Sequence, residues 1–237
     1  MAIAHQTEVV GAANTAAGNY DTNITPAAAP NGVCVVIHQN TTVADSVTSV
    51  IYGTGAGSVT LTRSRFDTEA TEAGGVYLYW GGDGAIFPSG TQTVRIARTG
   101  THRMQAVIST MTVTAGQQVQ VDSNATGGPG PAVNPTWTHT SLVNNVMAYL
   151  GFHSGTTSIT NTPAANWTGQ SATDLGLQGC GFARLTSATN TAGNRAPGWT
   201  EEVNEDFVGS SIAFKEGAPP AAPSGPPILV MAPPRPA

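Results

Sequence analysis

Along most of this chain apolar and polar residues alternate with a period of two. In SVTLTRSRF (58–66), Val59, Leu61 and Arg63 lie opposite Thr60, Thr62 and Ser64. TQTVRIART (91–99) turns Val94 and Ile96 inward and Arg95 outward. VTSVIYGTG (47–55) sets Val47, Ser49 and Ile51 on one side and Thr48, Val50 and Tyr52 on the other. A period of two is that of a half-buried β-strand. VCVVIHQN (33–40) and VYLYW (76–80) are short apolar runs bounded by Asn31-Gly32, Gly74-Gly75 and Gly81-Gly82, which also predicts strands. MQAVISTMTV (104–113), VQV (119–121) and GCGFARLTSAT (179–189) continue the series. In FVGSSIAFKEG (207–217), Val208, Ser210, Ile212 and Phe214 share a face.

Two segments read differently. VNNVMAYLGFHSG (143–155) is the longest apolar stretch and the one place where a helix competes, but its Gly-Phe-His-Ser-Gly ending favours a strand. GGPGPAVNP (127–135) is so rich in Gly and Pro that it predicts no element. Turn signals recur at the spacing expected of an all-β sandwich or barrel. The expected fold is all-β: one antiparallel β-sandwich over residues 1–216, followed by a Pro-rich extended arm over 217–237. That arm holds eight prolines in 21 positions, a density that favours polyproline II.

Composition sharpens the picture. Charged residues make up 10% of the 237 residues, against about 25% in an average soluble domain. So little charge suits a protein whose surface is largely covered by neighbours. The net charge of −5 argues against nucleic acid as a partner. Five arginines between Arg63 and Arg103 are interleaved with Asp67, Glu69, Glu72 and Asp83, which reads as a mixed-sign surface. Cys34 and Cys180 are too few for a disulfide framework, and buried free thiols are the simpler expectation. No run approaches ~18 apolar residues, so no membrane-spanning helix is expected. MAIAHQTEVV has neither the basic start nor the apolar stretch of a signal peptide, so the expectation is a cytoplasmic product.

Candidate chemistry is sparse. His5, His38, His102, His139 and His153 are scattered without metal-ligand spacing, and no nucleophile elbow, phosphate loop or dinucleotide fingerprint is present. His38 and His153 are expected near strand ends. The acidic group Glu201, Glu202, Glu205 and Asp206 lacks the spacing of a calcium loop and reads as solvated loop carboxylates. No catalytic residue, cofactor or metal is therefore expected. All four tryptophans read first as core or edge packing: Trp80 ends an apolar strand, and Trp167 and Trp199 follow Pro-containing turns where rings cap a sandwich core. Trp137 and Trp167 are the ones to inspect as platforms for a glycan, since an exposed indole can stack on a pyranose face.

The segments TPAAAPNGVCVVIHQN, VTSVIYGTGAGSVTLTRSRFD, GGVYLYWGG, GTQTVRIARTGTHRMQAVISTM, TPAANWT and DFVGSSIAFKEG, taken in order, carry a resemblance. Over about residues 20–217 the chain resembles the jelly-roll β-sandwich of tailed-phage virion proteins, often encoded among minor tail genes of phages infecting actinobacteria. The resemblance implies a jelly roll and a structural or receptor-facing place in the virion, with no catalysis. Other virion structural proteins would be its partners, in tail or capsid, and a homo-oligomer is expected by analogy with virion spikes. It carries over no catalytic residue.

Within the arm, Ile228, Leu229, Val230 and Met231 lie between Pro226-Pro227 and Pro233-Pro234. Prolines lower the entropy lost on ordering, and burying one such apolar side chain is worth roughly 1.5–3 kcal/mol. These eight residues are expected to dock on a neighbouring subunit, by strand addition or in the polyproline mode. Capsid decoration and host-glycan binding are the alternatives to a tail role.

Overall fold

The computed structural model describes residues 3–40, 44–71, 73–132, 137–155, 159–160, 166–172, 179–185, 191–195, 200–201 and 205–220. The chain is all-β, with antiparallel sheets packed face to face. Its first nine strands are β1 (Ala4–Val10), β2 (Tyr20–Ile24), β3 (Gly32–Asn40), β4 (Val47–Tyr52), β5 (Val59–Thr60), β6 (Thr62–Glu69), β7 (Gly74–Gly81), β8 (Gln92–Arg98) and β9 (Met104–Thr112). Four nested antiparallel pairs organise them: β1 with β9, β2 with β8, β3 with β7 and β4 with β5. The pairs fall alternately into two sheets, ordered β1-β9-β3-β7-β6 and β2-β8-β4-β5, hereafter sheets A and B. This wrapping of nested pairs is the jelly roll.

The remaining strands are β10 (Gln118–Ala132), β11 (His139–Ser141), β12 (Met147–Ser154), β13 (Ile159–Thr160), β14 (Trp167–Ala172), β15 (Gly179–Leu185), β16 (Gly193–Arg195), β17 (Thr200–Glu201) and β18 (Glu205–Gly217). Five of them form sheet C, ordered β10-β18-β12-β15-β14. Two short ribbons pair β11 with β16 and β13 with β17. Sheet C covers the face of sheet A that points away from sheet B, so the sandwich has a third layer.

This layering explains why VCVVIHQN is apolar at successive positions. A strand buried on both faces has no solvent side to mark with polar residues. Val33, Val35 and Ile37 pack toward sheet B with Tyr20, Val50, Tyr52, Val94 and Ile96. Cys34 and Val36 pack toward sheet C with Tyr149, Leu150, Ile212 and Phe214. All nine β3 residues are buried. β7 repeats the division, sending Tyr77 and Tyr79 to the first core and Val76 and Leu78 to the second.

Three local features depart from the sequence pattern. A bulge between Val47 and Ser49 shifts the phase of β4, so Val47 joins Val50 and Tyr52 in the core instead of lying opposite them. β10 continues through Gly127–Ala132, where no element was expected. It can do so because it is the edge of sheet C, where a missing proline N–H breaks no ladder, and because the register slips between Gly127 and Gly130. Glu205 and Asp206 open β18 and Glu201 lies in β17, so these acids are not in one loop. VNNVMAYLGFHSG becomes strand from Met147, as its ending indicated.

Polar side chains pin the layers. Arg98, 6% exposed, donates to the carbonyls of Asn14, Ala16, Gly18 and His102, fixing the loop before β2. Asp67 of β6 accepts from Arg65 at 2.7 Å and from the Ser210 hydroxyl of β18, and Arg65 also reaches Asn124 of β10 at 3.0 Å. These bonds tie the edge of sheet A to sheet C.

Candidate functional site

Of the candidates that the sequence named, the two tryptophans singled out for a glycan are packing residues. Trp137 and Trp167 are each 7% exposed. The Trp137 ring lies across Gly127 and Gly209, and its Nε1 donates to the Ser211 hydroxyl at 3.1 Å. Trp167, at the start of β14, joins the same core. Both indoles therefore pack, as the first reading of them had it, and the alternative of a glycan platform at Trp137 or Trp167 finds no free ring face, because each closes the outer side of sheet C. Trp80 is half-buried, with its ring 5.7 Å from that of Phe214. Trp199 and the arm residues Pro226, Pro227, Ile228, Leu229, Val230, Met231, Pro233 and Pro234 lie outside the described residues.

Cys34 and Cys180 are buried free thiols, and burial raises the pKa of both. Among the described residues no group of three or more His, Cys, Asp or Glu could hold a metal ion. No described helix is long and apolar enough to cross a membrane.

His139 belongs to a network that sequence reasoning missed. Its Nδ1 lies 2.6 Å from the Ser211 hydroxyl and its Nε2 3.0 Å from that of Ser123. Ser211 also receives the Trp137 indole N–H and donates to the Ala125 carbonyl at 3.4 Å. Ser211 has one proton, so it accepts from His139 Nδ1, and Nε2 is left to accept from the Ser123 hydroxyl, which shares its one proton between Nε2 and Asp122 Oδ2 at 3.3 Å. Asp122, beside Ser123, takes the Leu142 N–H at 2.7 Å. Serine next to histidine invites a nucleophilic reading. Yet His139 is 0% exposed and its second nitrogen is held by a serine rather than a carboxylate. The network acts as a clasp that holds residues 137–142 on sheet C.

The open, chemically equipped feature lies elsewhere, where one strand changes sheets. β5 pairs with β4 in sheet B, and the last bond of that pairing runs from the Leu61 N–H to the Val50 carbonyl at 2.8 Å. One residue later the chain, now β6, pairs with β7 in sheet A. Between the diverging strands a cleft of about 530 Å³ opens, lined by Asp45, Val47, Thr48, Ser49, Thr60, Leu61, Arg63 and Tyr79. Val47, Leu61 and Tyr79, each at most 5% exposed, form its apolar floor. Arg63 and Asp45 meet across it at 2.5 Å, with side chains 41% and 44% exposed. The hydrogen bond that Arg63 donates to the Asp45 carboxylate raises the Arg63 pKa. Burial raises the Tyr79 pKa and the Arg63 charge opposes that rise, so the phenol stays neutral. Its hydroxyl reaches the Val47 carbonyl at 3.5 Å.

No family model matches the sequence, and no curated protein is significantly similar to it.

Proposed function

We propose that this protein is a non-enzymatic structural component of a tailed-phage virion, a minor tail protein that assembles in the host cytoplasm with other virion proteins. The observation that supports this reading best is the jelly-roll order of strands β1–β9, the fold that the sequence resemblance implied. Two further features agree with it: the charge-poor composition and a third sheet that extends the sandwich. In this reading the domain projects from the particle, and residues 226–237 fasten it to a neighbouring subunit.

Virions carrying the full chain or a chain cut after Gly217 test the proposal, with protein content measured by mass spectrometry. A truncated chain that folds but is missing from particles is the expected result. Normal incorporation would remove the docking role from Ile228–Met231, and absence of the full-length chain from virions would overturn the proposal entirely. Cross-linking of the arm to a tail or to a head protein separates a minor tail protein from a capsid decoration.

A further inference from the structure

We propose that the cleft between β4 and β6 is a saccharide-binding site that grips a vicinal diol with the Asp45–Arg63 pair. The inference does not depend on the virion reading, because it rests only on the cleft.

Its volume, about 530 Å³, falls within the roughly 300–1,000 Å³ of small-molecule sites. The charge pattern selects the ligand class. Asp45 and Arg63 neutralise each other, so the cleft favours neither an anion nor a cation. Only one bond joins them, from Nη1 of Arg63 to Oδ2 of Asp45. Oδ1 of Asp45 and several guanidinium N–H groups therefore remain for a ligand. Side by side they present an acceptor and a donor at fixed spacing. Two adjacent hydroxyls of a sugar ring, each both donor and acceptor, match that arrangement without breaking the pair. Ser49 and Thr60 also line the cleft, as does Thr48, whose hydroxyl donates to the Ala97 carbonyl at 3.1 Å, and the floor of Val47, Leu61 and Tyr79 suits the C–H face of a pyranose.

Stability alone does not explain why the pair stands there. Exposed ion pairs contribute little to folding. A comparable pair, Asp21 with Arg95 at 2.8 Å, lies on the open face of sheet B with side chains 39% and 44% exposed, and neither residue lines the cleft. That second pair serves as an internal control.

The test is saturation-transfer NMR on the full chain with methyl glycosides of mannose, galactose, glucose and N-acetylglucosamine at millimolar concentration, and with inorganic phosphate as the competing probe. At least one glycoside should bind. Asp45→Asn and Arg63→Gln should each weaken that binding about tenfold or more, since a hydrogen bond to a charged group is lost. Asp21→Asn should leave it unchanged, and thermal melting should show all three variants folded. Four results would overturn the proposal: no binding by any glycoside, equal binding by the cleft variants, loss in Asp21→Asn, or displacement of the sugar by phosphate.

Discussion

His38 and His153 face one another between sheets A and C, each 0% exposed. Burial is the main cause that lowers their pKa values, to about 3 for His38 and about 4 for His153, and the second imidazole lowers His38 further. Both are neutral in the fold at neutral pH. The unfolded chain binds their protons from about pH 6.5 downward, while the folded chain does so only near its own lowered values. Stability is therefore complete above about pH 6.5 and falls as the pH drops toward 4, with each histidine contributing a slope of about 1.4 kcal/mol per pH unit. His5, also lowered to about 4 by burial and by Arg184, adds to the same trend. Replacing His38 and His153 together with leucine should flatten the pH dependence of the denaturant midpoint. An unchanged slope in the double variant would show that these two rings do not set the acid limit.

At the scale of the strand, close approach decides what can be substituted. β12 crosses sheet A at Gly151, where an added Cβ would collide with Val36 and Val76 methyl groups. Gly151→Ala should cost roughly 1–3 kcal/mol through overpacking, read as a lower thermal midpoint, whereas Gly57→Ala, with open space around it, should not. The strands also show how far the sequence could be read. β3, β7, β8, β9 and β18 were visible because core burial stamps a continuous or alternating apolar pattern on them. β1, with its seven residues exposed or half-buried, carries no such stamp and was missed. The bulge in β4 was hidden because alternation extrapolates a constant phase. The cleft was hidden for a different reason. Asp45 and Arg63 stand 18 residues apart, and what unites them is the passage of one strand from sheet B to sheet A at Leu61. No local pattern encodes that crossing.

For the whole molecule, the decisive fact is that the central strands of sheet A, β3, β7 and β9, have no solvent face. Sheet B covers one side with the core around Val35, Ile37 and Tyr77, and sheet C covers the other with the core around Val36, Leu78 and Phe214. The jelly roll closes within residues 4–112, yet its sheet A carries Cys34, Val36, Val76, Leu78, Val107 and Met111 outward into the second core. Exposed together, these side chains would form a contiguous apolar patch of the kind that soluble monomers avoid. Sheet C is therefore part of the folding unit, not an appended module. Self-assembly within the proposed virion has to use other surfaces: the outer face of sheet B, the sheet edges or the side closed by Trp137. A chain ending at Thr114 tests this argument. It should aggregate or bind a hydrophobic dye strongly and lose cooperative melting, while the chain ending at Gly217 should melt like the full-length protein. A soluble, cooperatively melting 1–114 fragment would instead mean that the jelly roll stands alone and that its sheet A is free to meet partners.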